Sequence, residues 1–148
     1  MIKTWGLAAA FSLMVAAPAW AQSDTCGDEP IPPALPTAAE IGQKTPADAQ
    51  KAKHGAFEDI RAWQGQLKGY RDCLDAAIAE DKLKKQKAVT ATKPDADAIA
   101  RIQADMDATN KAYDHTTDTE ERIVNDFHAV STAYCARTDV DRATCPKT

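Results

Sequence analysis

Residues 56–78 read AFEDIRAWQGQLKGYRDCLDAAI, and the spacing of the apolar members of this stretch decides the fold. Ala56, Ile60, Trp63, Leu67, Tyr70, Leu74 and Ala77 succeed one another at steps of 4, 3, 4, 3, 4 and 3. A repeat averaging about 3.5 residues draws one narrow apolar stripe along a helix, the pattern of a helix that lies against another for its whole length. With Ile60, Leu67 and Leu74 as a positions, the d positions go to Ala56, Trp63, Tyr70 and Ala77. The stripe fades after Ile78, where Asp81 and Lys84 would fall on it.

Upstream, Thr45-Pro46-Ala47-Asp48 is a helix start: Thr45 as N-cap, Pro46 at the first helical position, Asp48 near the positive end of the dipole. Downstream, helix character persists through Lys87, but Thr90 to Lys93 lead into Pro94, which predicts a helix over about 46–88. A second periodic run starts at Pro94-Asp95 and passes through Ile99, Ile102, Met106, Thr109, Tyr113, Thr116, Glu120, Ile123, Phe127, Val130 and Tyr134. No Gly or Pro interrupts it, so one helix over about 95–138 is predicted. Its stripe is polar at the centre, where Thr109, Thr116 and Glu120 stand.

Two helices joined by a short link lie antiparallel. With the turn centred near Ala91-Thr92, residues whose numbers sum to about 183 face each other, pairing Tyr70 with Tyr113, Ala77 with Met106, Ala56 with Phe127 and Trp63 with Glu120. Glu120 is expected either to snorkel to the edge or, if buried against Trp63, to hold its proton more tightly. The fold class is therefore all-α: a long antiparallel, coiled-coil-like hairpin over 45–138 with a C-terminal tail over 139–148.

The N-terminal part is of another kind. Lys3, an apolar run from Leu7 to Ala17 and the Ala19-Trp20-Ala21 ending read as an export signal over 1–21, too short to span a membrane as a helix. Residues 22–44 form a proline-rich arm in which Pro30, Pro32, Pro33 and Pro36 hold the chain extended, with one helical turn offered by the capping-box spacing of Thr37 and Glu40. Of the whole chain's 18 bases, 17 remain beyond Lys3 against 22 acids, a balance unfavourable to nucleic-acid binding.

Four cysteines in an exported chain read as two disulfides. In the hairpin Cys73 and Cys135 lie ~37 Å apart along the axis and cannot bond. An extended arm from Thr45 reaches about 59 Å, ample for Cys26 to meet Cys73 at ~42 Å along the helix. Cys145 would need its ten intervening residues almost fully extended to reach Cys73, so the pairing is Cys26–Cys73 with Cys135–Cys145. Gly65, Gly69 and Cys73 form one row, and because each helical glycine costs about 1 kcal/mol relative to Ala, close approach of the Pro30–Pro36 strap to that row is expected.

The chemistry-bearing residues are sparse. His54 and His128 fall on solvent-facing positions, and His115 with Asp118 makes a weak two-ligand metal pair. Beyond the export signal the serines are Ser23 and Ser131, with no nucleophile elbow. No catalytic, cofactor-binding or metal residue is assigned and no cofactor is expected. Lys82, Lys84, Lys85 and Lys87 form a basic tip on an acidic chain, a contact for anionic lipid or polymer. Leu83, Val89 and Val124 lie off the stripe, and Ile99 and Ile102 lack good partners; these are contact points for a partner.

With Cys26 and its proline-rich arm, Tyr70-Arg71-Asp72-Cys73-Leu74, Ala112-Tyr113 and the segment Glu120-Glu121-Arg122-Ile123-Val124-Asn125-Asp126-Phe127, the chain resembles small uncharacterised exported helical proteins of proteobacteria. The resemblance implies a periplasmic or secreted location and helical architecture, with no activity attached. The expectation is a non-enzymatic structural or interaction protein, with a protein partner or a second copy of itself. An envelope-binding module working through the lysine tip is the alternative.

Overall fold

The computed structural model describes residues 26–145. The export signal expected over 1–21 lies outside the described residues, as do residues 22–25 of the arm and 146–148 of the tail. The described chain is a short helix α1 (Ala38–Gln43), two long helices α2 (Pro46–Val89) and α3 (Ala96–Cys135), and a single 3-10 turn at Arg142–Thr144. Helices α2 and α3 pack as the antiparallel hairpin, about 66 Å long at 1.5 Å per residue.

The helix ends follow local chemistry. Thr45 accepts from the Asp48 amide at 3.2 Å and donates its hydroxyl to the Asp48 carboxylate at 2.7 Å, with Pro46 beside it. Asp95 accepts from the amides of Asp97 and Ala98 at 3.0 Å and opens α3. The capping box of Thr37 and Glu40 is closed in both directions, so the one helical turn expected in the arm is α1.

Helix α3 stops at Cys135, short of the expected 138. Two demands bend the chain there. The Cys135–Cys145 bridge closes a loop of only 10 residues, and Arg137 is drawn out to donate to the carbonyls of Ile41 and Lys44, both at 2.8 Å, at the C-terminal end of α1.

The buried stripe of α2 runs Ala49, Ala56, Ile60, Trp63, Leu67, Tyr70, Leu74, Ile78. It departs from expectation at its last member, where Ile78 rather than Ala77 is buried. A straight helix of 3.6 residues per turn drifts against a 3.5-residue repeat, and a step of four compensates. On α3 the buried set is Met106, Thr109, Thr116, Thr119, Ile123, Val130 and Tyr134. Thr119 is buried where Glu120 was expected to fill the stripe.

The arm makes the hairpin a three-layered object over much of its length. Both expected disulfides are present: Cys26–Cys73 with Cα atoms 5.7 Å apart and Cys135–Cys145 at 5.8 Å. From Cys73 the arm runs back antiparallel to α2, until α1 inserts Ile41 into a cluster with Ala49, Val130 and Tyr134. A second cluster, Ile60, Trp63, Leu67 and Ile123, is covered by Leu35 of the arm and by Phe127.

Candidate functional site

Four places bring polar or reactive side chains together: the middle of the interhelical seam, the groove under the arm, the base, and the tip. At the seam, the polar centre of α3 meets Gln64 and Arg71, which flank the apolar stripe of α2. Arg71 donates through Nε to Thr116 Oγ1 at 2.7 Å and through Nη1 to Glu120 Oε2 at 2.6 Å, while Gln64 donates to Glu120 Oε1 at 2.7 Å. Thr116 in turn donates to the Tyr113 carbonyl at 2.6 Å, and the Arg71 guanidinium lies 5.8 Å from the centre of the Tyr113 ring.

This arrangement corrects the expectation for Glu120. It is neither pressed against Trp63 nor free at the edge. Burial pushes its pKa up, but hydrogen bonds from Arg71 and Gln64 and the charge of Arg71 outweigh that and leave it below the ordinary glutamate value. The carboxylate is held charged, as a structural link between the helices. Gln64 and Arg71 were not singled out in the sequence, although both sit four residues after an a position, on the flank facing the Thr116 and Glu120 pair.

Under the arm, Trp63 is only 3% exposed, and its indole Nε1 donates to the Pro30 carbonyl at 3.0 Å. His115 Nδ1 lies 2.9 Å from Glu29 Oε2, so the histidine offered as half of a metal pair with Asp118 instead meets the arm. Tyr70 sits near the same acidic turn: burial raises its pKa first, and the charges of Glu29 and Asp28 add to it. The expected close approach to the glycine row does not occur. A Cβ built on Gly65 or Gly69 would meet nothing within 4 Å, because the arm runs over the Trp63 side of α2.

At the base, Lys53 donates to the Thr144 carbonyl at 2.7 Å and lies 4.4 Å from the centre of the Tyr134 ring. Burial lowers its pKa. The Phe57 and Phe127 rings stand 6.0 Å apart. His54 and Phe57 border a shallow cleft of about 440 Å³ between α2, α3 and the tail. His54 and His128 are exposed, as their positions suggested.

At the tip the lysines are not equivalent. Lys84 is 3.0 Å from both Glu80 and Asp81, whose hydrogen bonds raise its pKa, and Lys85 donates to Gln103. Lys82 and Lys87 are exposed beside Leu83 and Val89, which leave 58% and 51% of their surfaces in water. Ile99 and Ile102 are half-buried.

Among the described residues no helix is long and apolar enough to cross a membrane, and no group of three or more His, Cys, Asp or Glu could hold a metal ion. No family model, curated protein or solved structure matches the chain.

Proposed function

We propose that the chain is a non-enzymatic structural or interaction protein of an oxidising compartment, periplasmic or secreted, akin to small exported helical proteins of proteobacteria. It would present a rigid, coiled-coil-like rod to a protein partner or to a second copy of itself. The observation that carries this reading is that arm and tail both fold back on the hairpin and each is held there by a disulfide. Such bridges persist where thiols are oxidised. In the seam Gln64, Arg71, Thr116 and Glu120 bond to one another across the two helices, with Arg71 Nη2 the buried nitrogen left without a partner, and such cross-links suit a fixed scaffold.

The test is fractionation of the native host with thiol trapping. An extracytoplasmic chain with all four cysteines oxidised and an N-terminus at Gln22 supports the reading, and a cytoplasmic chain with free thiols sinks it. Sedimentation of the same material then separates self-association, which appears as a concentration-dependent dimer, from a monomeric scaffold.

A second reading is favoured by one feature, the exposure of Leu83 and Val89 on the same helix end as the exposed Lys82 and Lys87. Exposed apolar side chains interspersed with cations suit an anionic membrane surface. Salt-sensitive binding to vesicles containing anionic lipid, lost in Lys82→Glu/Lys87→Glu, would support it.

A further inference from the structure

We propose that the face of the hairpin built around Trp63 is a receptor for a proline-rich extended segment of a partner protein, and that residues 30–36 of the chain occupy it as a tethered competitor. This deepens the interaction-protein reading by naming a site and a partner chemistry. It rests on that reading only for biological use, because the test is one of binding alone.

The argument starts with proline. A proline has no amide hydrogen, so a proline-rich segment offers its carbonyls and ring faces for recognition, and its stiff backbone loses little entropy on docking. Aromatic grooves read such segments by ring packing and by donating a hydrogen bond to a carbonyl. The hairpin supplies the donor and an apolar face beside it. Trp63 Nε1 donates to the Pro30 carbonyl at 3.0 Å, and Leu35 packs on the cluster of Ile60, Trp63, Leu67 and Ile123.

The burial pattern of the arm fits the same mode. Asp28, Ile31, Ala34 and Thr37 are exposed at steps of three, while Pro30, Pro32, Pro33, Leu35 and Pro36 are half-buried. Three residues per turn is the polyproline II repeat, with one edge to solvent and two against the groove. Ile31, 88% exposed, points away from the hairpin altogether.

The occupant also leaves part of the groove unfilled. None of residues 26–36 is fully buried, and a cleft of about 420 Å³ remains between residues 33–38 and Arg122, Ile123, Asp126 and Ala129 of α3. Covalent and helical anchors fix the two ends of the arm: Cys26–Cys73 at one and α1 at the other. A ligand tethered in this way experiences an effective concentration of about a millimolar, so even weak docking keeps the groove closed to free competitors.

The experiment titrates a synthetic peptide of residues 27–37 into the Cys26→Ser/Cys73→Ser chain and into the disulfide-bonded chain. A peptide with its prolines replaced by alanine is the control. Binding is read by calorimetry and by the indole N–H resonance of Trp63, identified by its loss in Trp63→Phe. The expected result is saturable binding to the double-serine chain with a shift of that resonance, about tenfold or more weaker binding to the disulfide-bonded chain, and none by the control peptide. In the double-serine background, Trp63→Phe should keep the ring and lose about five- to tenfold in affinity with the donor.

Circular dichroism checks that the double-serine chain keeps its helices. If it does not, Leu35→Ser with both disulfides intact weakens the arm's own hold and serves as the second receiver. Absence of binding by a helical receiver overturns the proposal. So does equal binding by both chains, which would place the peptide elsewhere, and so does dimerisation of the double-serine chain by exchange of arms, which would make the groove a self-association site.

Discussion

The two ends of the hairpin are built from the same two helices and differ in what covers them. At the base, α1, the arm and the tail close over the seam: Ile41, Ala49, Val130 and Tyr134 are each no more than 1% exposed, with Val140 and the Cys135–Cys145 bridge packed around them. At the tip none of the described residues is laid over the helices, and Leu83 and Val89 stand largely in water. Two helices bury only a stripe of each other. A third layer turns that stripe into a core, and the arm and tail are what supply it.

Truncation at each end should separate the two most sharply. Tyr134→Ala removes a ring that packs against Ile41 and Ala49 and takes Lys53 on its face, and it should cost about 3–5 kcal/mol in urea denaturation. Leu83→Ala at the tip should stay within about 0.5 kcal/mol. Equal losses would mean that the third layer adds no stability of its own.

Most of the base was legible in the sequence, and for identifiable reasons. The apolar steps around Trp63 set the helix pair, Thr45-Pro46 and Pro94-Asp95 set its limits, and the lengths of arm and tail settled which cysteines meet. The seam's polar centre was legible only from one side. Thr116 and Glu120 stood out because they break an apolar stripe, whereas Gln64 and Arg71 lie beside an intact one, and nothing in a helical repeat marks a flanking polar residue as buried. The path of the arm differs from the one the glycine row suggests, because Gly65 and Gly69 face open space and mark no close approach. The deciding residue was Trp63, whose indole needs an acceptor when buried.

The Cys26–Cys73 bridge sharpens the comparison next, since it holds the third layer down at its upper end. Closing 47 residues, it should contribute about 2–4 kcal/mol, and Cys26→Ser/Cys73→Ser should lose that much while the far-UV helix signal persists. A loss confined to the arm would show as faster hydrogen exchange at the Trp63 indole with the base unchanged. Concerted loss of the base would mean that arm and base form one cooperative unit.

Midway between the ends, the Glu120 link should report itself through pH. Its pKa is lowered on folding, so its contribution is fully present above the unfolded value of about 4.3 and is lost as pH falls through the lower folded value. Stability measured from pH 6 down to 3 should therefore fall more steeply in the native chain than in Glu120→Gln. At neutral pH that variant should be about 1.5 kcal/mol less stable, the low end for a charge-assisted hydrogen bond, because Arg71 and Glu120 keep 20% and 27% of their side-chain surface in water. Identical acid slopes would assign the acid sensitivity to other carboxylates.

The smallest effect has the opposite sign and tests how far the third layer reaches sideways. A Cβ at Gly65 or Gly69 would meet nothing within 4 Å, and neither glycine has a positive φ, so alanine fits the space and the backbone at both positions. Each Gly→Ala change should then raise stability by about 0.4–1 kcal/mol, by restricting the unfolded chain and improving helix propensity. If the arm instead spends time on this face, the added methyl groups would obstruct it, and the gain would vanish in the disulfide-bonded chain yet return in Cys26→Ser/Cys73→Ser. Additive gains in both backgrounds would confirm that the arm keeps to the Trp63 side and leaves the glycine flank of α2 as bare as the tip.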